Sequence, residues 1–151
     1  YRLMEGIMDQ NKQKVLIRIK GTTKQEGESD EVMELVTQGE MYKKRKSNYI
    51  MYKESEVSGL EGTTTTLKIE GEKISIIRLG TMNSHMTFEK GKKSYNMYST
   101  PYGEMALSIC TQDININYNQ EHNPTNIYVD YNVEIQGLMA ARNILDIQVK
   151  H

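Results

Sequence analysis

Three histidines and a single cysteine are the residues of this sequence that most readily serve as bases, nucleophiles or metal ligands. His85 shares its parity with polar neighbours in an alternating segment, so we expect it on a solvated face. His122 falls in a loop and His151 is the last residue, and the two have no metal-ligand spacing. Cys110 lacks the basic or helix-terminal surroundings that activate a thiol. We therefore predict no catalytic residue, no metal site and no cofactor.

The sequence also disfavours nucleotides and nucleic acids as ligands. It contains no glycine-rich phosphate-binding motif. Its 19 basic and 20 acidic residues give a formal net charge of −1, whereas proteins that follow a phosphate backbone are usually basic. The one basic cluster, Lys43–Lys46, lies between Glu40 and Glu54 and is typical of a solvated hairpin tip, with a phosphate contact as the alternative.

Strict alternation of apolar and polar residues identifies the elements that must position any site. Apolar residues occupy every second position of 127–135, 15–19 and 145–149, which predicts strands with one dry and one solvated face. No window of ten or more residues has a helical period, and Tyr1–Asp9 is the one short helical candidate. Turn sequences such as Glu70–Lys73 separate the strands at short intervals.

About eight to ten strands therefore follow one another in an all-β, antiparallel, up-and-down arrangement. A single barrel is the favoured closure because it removes exposed sheet edges. The parity of the apolar residues changes from odd at Met105–Ile109 to even at Ile114–Tyr118, which predicts a β-bulge or corner across Cys110–Asp113. Since orthogonal sandwiches use the same corners, a two-sheet sandwich is the alternative fold.

Four segments, in order along the chain, resemble the YwiB-like family: Val15–Thr22, Glu61–Ile69, Phe88–Lys92 and Ser99–Gly103. The resemblance extends over residues 14–150, nearly the whole chain. It implies a small bacterial domain of unknown function with a calycin-like, lipocalin-related β-barrel. The family has no established catalytic or binding residues, so the resemblance supports the fold and assigns no site.

One group of polar residues is found when the two strands of the predicted hairpin are paired residue by residue, starting from the turn at Gly71–Glu72. In that register Leu67 faces Ile76 and Thr65 faces Arg78. Because Arg78 has the parity of Ile76, which belongs to the dry face, its side chain should point into the barrel. A lone buried charge is costly, so an inward arginine needs a partner.

Neighbouring strands bring further polar residues to the same end of the predicted barrel. Glu54 has the inward parity on the preceding strand, and Ser84 has it on the following one. If Phe88 pairs with Tyr95, Ser99 is placed beside Ser84. The predicted ligand-binding residues are Arg78, Glu54, Thr63, Thr65, Ser84 and Ser99.

Three interpretations of this group stay open. In the first, an Arg78–Glu54 pair plugs a filled barrel, and the protein is a structural or protein-interaction module. In the second, Arg78 orients an anionic or polar small molecule, whereas in the third the pair transfers protons in an enzyme. We favour binding of a small, partly apolar ligand without enzymatic activity, which an interior cavity of roughly several hundred Å³ would support. The apolar residues expected around that ligand are Leu67, Met82, Met86 and Met97.

The chain is expected to form one barrel domain over residues 13–151, after a leader or peripheral segment at 1–12. Deleting Tyr1–Ile7 should therefore leave the melting temperature within a few degrees, and a large loss would show that the segment packs on the fold. No apolar run approaches the ~20 residues of a membrane span, and one cysteine allows no internal disulfide. We expect a cytoplasmic protein that does not bind membranes; its oligomeric state stays open, a homodimer included.

Overall fold

The computed structural model describes residues 12–100 and 103–151, without the side chains of residues 98–100. This part of the chain is all-β, as predicted, with ten strands and one short 3₁₀ turn at Glu56–Ser58. The strands are β1 Gln13–Lys24, β2 Glu31–Lys44, β3 Ser47–Lys53, β4 Thr63–Glu70, β5 Lys73–Gly80, β6 Ser84–Phe88, β7 Lys93–Thr100, β8 Gly103–Tyr118, β9 Pro124–Ile135 and β10 Leu138–Lys150. The helical candidate Tyr1–Asp9 lies outside the described residues.

The ten strands form one antiparallel sheet in the order β6-β5-β4-β3-β2-β1-β10-β9-β8-β7. Consecutive strands pair with each other except β6 and β7, and in addition β1 pairs with β10, from Leu16 opposite Lys150 to Lys24 opposite Arg142. This long-range ladder curls the meander into a nearly closed barrel, and it confirms the predicted barrel rather than the sandwich.

The barrel has an open seam between β6 and β7, where the expected pairing of Phe88 with Tyr95 is wrong. Among the described residues the two strands touch without forming a ladder, and the Ser94 hydroxyl donates to the Thr87 carbonyl at 2.9 Å. The preceding turn is bonded to β8 instead, because the Gly91 N–H donates to the Thr111 carbonyl. Phe88 is consequently buried while Tyr95 is 77% exposed on the outer face.

Alternating side chains of the strands fill the barrel interior. Ile17, Ile50 and Val129 are completely buried on the inner face, which matches the parity read from the sequence. Phe88 of β6 contacts the ring of Tyr131 of β9, with 4.7 Å between ring centroids. This contact joins strands from opposite sides of the seam. Together with the other buried apolar side chains, it makes most of the interior a packed apolar core.

The change of parity in β8 coincides with a break in strand pairing. The ladder between β8 and β9 shifts register between Thr111 and Asp113. The predicted β-bulge or corner across Cys110–Asp113 is therefore confirmed, and it lets β8 bend around the barrel.

Strands β2 and β3 diverge, and this divergence shapes one side of the barrel. β2 pairs with β1 along Glu31–Met41 but with β3 only along Glu40–Lys44. Gly39 stands at the point of separation, where an added Cβ would lie 2.5 Å from Ile17 Cδ1 and 2.6 Å from the Met51 carbonyl oxygen. Only glycine fits this close approach, beyond which β2 and β3 separate.

No helix in the described part of the chain is long and apolar enough to cross a membrane.

Candidate functional site

The register of the β4–β5 hairpin positions the polar end of the barrel interior. Leu67 lies opposite Ile76 and Thr65 lies opposite Arg78, as predicted, and Ser84 of β6 faces Arg78 from the other side. Since residues directly opposite each other point to the same face, the buried Thr65 and Ile76 carry Arg78 inward with them. The Arg78 side chain is accordingly only 20% exposed.

Glu54 meets Arg78 inside the barrel. Its side chain is 3% exposed, and its Oε2 lies 3.8 Å from Arg78 Nε, within ion-pair distance but beyond a hydrogen bond. The Thr65 hydroxyl donates to the same oxygen at 2.6 Å, and the Glu54 N–H donates to the Thr63 carbonyl at 2.8 Å. The carboxylate is therefore held firmly by β4, whereas the guanidinium retains hydrogen-bonding capacity.

Tyr52 completes the charged cluster. Burial raises the pKa of the Tyr52 phenol strongly, and the Glu54 carboxylate raises it further, while Arg78 opposes the shift. The phenol therefore stays protonated at any physiological pH. It supplies a fixed hydroxyl donor beside an electrically neutral pair.

Two buried polar atoms of this cluster have no hydrogen-bond partner among the described residues. They are Arg78 Nε and Ser84 Oγ. A buried donor without an acceptor costs about 1–3 kcal/mol, so such atoms usually mark a place where water or a ligand binds. The unpaired guanidinium N–H of Arg78 can therefore donate a hydrogen bond to a water molecule or ligand inside the barrel.

A small cavity of about 90 Å³ adjoins the cluster. Tyr52, Glu54, Ser58 and Arg78 contribute its polar wall, and aliphatic side chains from β1, β2, β4, β5 and β10 form the rest, together with Met33 and Leu60. Its volume corresponds to roughly three water molecules at bulk density. The cavity can therefore hold a single polar head group, but not a drug-sized molecule.

A larger groove of about 440 Å³ lies where β2 and β3 separate. Leu35, Tyr52 and Glu54 line both the groove and the interior cavity, so the two spaces adjoin at these side chains. The far side of the groove is formed by Lys53, Ser55 and Val57. In the 3₁₀ turn, Val57 lines the groove and Ser58 lines the cavity.

Thr63 and Ser84 do not line the cavity. Thr63 is buried, and its hydroxyl oxygen accepts the Met82 N–H at 3.3 Å. Ser84 adjoins Arg78 in the ladder without lining the cavity. Ser99 pairs with Glu104 in the β7–β8 ladder, and its side chain lies outside the described part of the structure.

Of the four apolar residues expected around a ligand, Leu67 alone lines the cavity. Met82 and Met86 are half-buried elsewhere, and Met86 packs against the core. The prediction that Met97 faces the interior is wrong, because the parity of β7 turns its side chain outward and leaves it exposed.

The histidine and cysteine candidates show no functional constellation. His85 is exposed, as predicted. The pKa of the Cys110 thiol is raised, first by burial and then by the neighbouring Glu134 carboxylate, which disfavours a reactive thiolate. Across residues 12–100 and 103–151, no three histidine, cysteine or acidic side chains lie close enough to hold a metal ion.

The sequence reading missed the groove and the residues that form it. Residues 55–62, which have no alternating pattern, supply Ser55 and Val57 to the groove and Ser58 and Leu60 to the cavity. The one signal for the groove was Gly39, a glycine inside a strand pattern, which often marks a close approach of two backbones.

These features define a class: a nearly closed antiparallel β-barrel with a buried, charged cluster at one end of its interior. The chain belongs to the family described as Domain of unknown function (DUF1934), which matches residues 17–147. The crystal structure of the YwiB protein from Bacillus subtilis is similar, with a TM-score of 0.72 and 18% sequence identity over 93% of this chain and 94% of that one. At this identity the likeness shows the fold alone. The resemblance to the YwiB-like family is confirmed. No curated protein shows significant similarity to this chain.

Proposed function

We propose that this protein binds a small, partly apolar ligand through the cluster of Arg78, Glu54 and Tyr52. The observation that carries the proposal is the unpartnered, buried Nε of Arg78 beside an interior cavity. The ligand offers a hydrogen-bond acceptor to this N–H, and its apolar part contacts the aliphatic walls. Of the sequence-predicted residues, Arg78 and Glu54 face the proposed ligand and Thr65 orients the Glu54 carboxylate. Thr63, Ser84 and Ser99 stay in the proposal as outlying members of the polar set.

The charge of the cluster favours a neutral head group over an ion. Glu54 already balances Arg78, so a second anion would lie close to a buried carboxylate. A carbonyl or amide oxygen accepts from Arg78 without that repulsion. The ligand enters from the groove between β2 and β3, past Leu35.

A filled barrel that acts as a protein-interaction module is the second candidate function. It is favoured by the volume of the cavity, which at about 90 Å³ falls below the roughly several hundred Å³ of a usual ligand pocket. In either case we place the protein in the cytoplasm and expect no nucleic-acid partner, because the chain has one cysteine and a formal net charge of −1.

Native mass spectrometry of the protein, purified from its own cells under non-denaturing conditions, tests the ligand. The expected result is a bound mass of one molecule per chain. The double variant Arg78→Met with Glu54→Gln, which leaves no buried charge, should lose this mass. Arg18→Met, whose guanidinium pairs with Glu34 on the outer face, should retain it. A wild-type protein without bound mass, or a double variant that keeps it, contradicts the proposal.

A further inference from the structure

The amino-terminal half of β2 is an unprotected strand edge. Glu31–Gln38 pairs with β1 on one side, and within the described residues no strand pairs with its other side. Proteins often block such edges with proline, lysine or other charged residues; this segment has no proline or lysine, and its charged residues are Glu31 and Glu34. Val32 and Val36 are exposed by 57% and 60%, so the edge offers apolar side chains as well as backbone donors and acceptors.

The groove beside this edge has a second strand edge as its opposite wall. Tyr52 and Lys53 of β3 pair with β4 and leave their other side toward the groove. If a strand from a second copy of the protein paired with β2, the next strand of that copy's sheet would collide with β3 and the 3₁₀ turn. A single extended segment has no such neighbour and fits between the two walls.

The charges along the groove leave one cation without a partner. Arg18 Nε donates to Glu34 at 2.8 Å, and Arg78 balances Glu54. Lys53 is exposed and forms no ion pair in the part of the chain that the structure describes. An occupant with one carboxylate opposite Lys53 therefore complements the groove.

We propose that the β2–β3 groove binds an extended peptide segment that adds to the free edge of Glu31–Gln38. The peptide carries apolar or β-branched side chains at alternate positions and one carboxylate near Lys53. Backbone hydrogen bonds to β2 supply affinity, and Val36, Leu35 and Val57 contact its side chains. This site adjoins the Arg78 cavity at Leu35, Tyr52 and Glu54, and peptide binding does not require the ligand proposed for the cavity.

Hydrogen exchange with synthetic peptides tests the edge directly. The probes are two acetylated heptapeptides of alternating valine and threonine, with a glutamate at the first or at the last position. At peptide concentrations up to about 1 mM, at least one should slow amide exchange in Glu31–Gln38. The control is the same peptide N-methylated at every residue, which has no backbone N–H left to donate to the ladder. No protection by either probe, or equal protection by the methylated peptide, overturns the proposal.

The role of Lys53 is tested with a matched pair of variants. Lys53→Gln should weaken the glutamate peptide by about twofold to fivefold, the range of an exposed charge pair, and should not weaken its glutamine analogue. Lys46→Gln, at the solvated β2–β3 hairpin tip, should leave both affinities unchanged. Equal losses for both variants would overturn the assignment of the carboxylate to Lys53.

Two further outcomes separate this site from its alternatives. If the protein alone gains the same protection on concentration and sediments as a dimer, the occupant is a second copy and the peptide proposal fails. The variant Arg78→Lys, which keeps a cation beside Glu54 and changes no residue of the groove lining, should bind the peptide as the wild type does. Loss of peptide binding in this folded variant would instead place the occupant in the interior cavity.

Discussion

Arg78 and Glu54 depend on each other because both are largely withdrawn from water. Glu54 has the Thr65 hydroxyl, the Tyr52 phenol and the Arg78 guanidinium as polar neighbours in the barrel interior. Hydroxyl groups alone compensate a buried carboxylate poorly. The arginine therefore contributes to stability mainly by preventing an uncompensated charge, and less by the attraction itself.

Replacing Arg78 with methionine should lower the free energy of unfolding by about 3–5 kcal/mol, because it strands a buried Glu54 carboxylate. The double variant Arg78→Met with Glu54→Gln should recover much of that loss. Urea unfolding of the wild type, both single variants and the double variant measures the effect. Arg18→Met is the control; its pair with Glu34 is solvated, so the loss should stay below about 1 kcal/mol. Equally small losses at Arg78 and Arg18 would show that the interior pair is hydrated.

Alkaline pH should destabilise the fold through its buried tyrosines. Burial raises the pKa of both Tyr52 and Tyr131, so the folded state keeps protons that the unfolded state releases above about pH 10. The free energy of unfolding should therefore fall as pH rises beyond 10, by up to about 1.4 kcal/mol per pH unit for each tyrosine. In the variant Tyr52→Phe, the free energy of unfolding should fall less steeply with pH, by the contribution of one tyrosine. Urea unfolding between pH 8.5 and 11 measures this difference. An unchanged slope in the variant would mean that Tyr52 ionises in the folded barrel.

At the scale of the elements, Gly39 determines where β2 leaves β3. Gly39→Ala should destabilise the protein by about 1–3 kcal/mol, because its Cβ would overlap Ile17 Cδ1 and the Met51 carbonyl. Gly21→Ala in β1 is the matched control, since no atom lies within 4 Å of its added Cβ. That variant should be neutral or slightly stabilising. Thermal unfolding of both variants compares them, and similar melting temperatures would contradict the close approach.

The sequence predicted most strands and the Arg78 register because each strand has one dry face, where a one-residue slip would expose the core. The β4–β5 hairpin is local, so Thr65, Arg78 and Glu54 could be brought together from parity alone. The seam at β6 and β7 could not be predicted. It depends on a hydrogen bond from Gly91 to Thr111, a residue on another strand. The groove likewise depends on how residues 55–62 fold over the barrel, for which no periodic pattern exists.

At the scale of the whole molecule, the barrel closes between its first and last strands and opens between two strands from the middle of the chain. The ladder with β10 supports β1, the strand that pairs with the groove wall β2, whereas the seam is bridged by Ser94 and by the ring contact of Phe88. Around the described barrel, β6 and β7 are the neighbouring strands without a ladder, whereas β2 and β3 separate along only part of their length. The seam is where the barrel can most easily widen.

The ladder between β1 and β10 also governs how fast the protein reaches its native state. It pairs residue 16 with residue 150, whereas every other ladder joins consecutive strands. Linking residue 151 to residue 12 by about six glycine and serine residues, with new ends at Lys90–Gly91, would turn this ladder into a local hairpin. The resulting permutant has a lower contact order, so it should fold severalfold faster, with a smaller change in its unfolding rate. Stopped-flow folding in urea measures both rates, and a permutant that folds no faster would show that closure of the barrel is not the slow step.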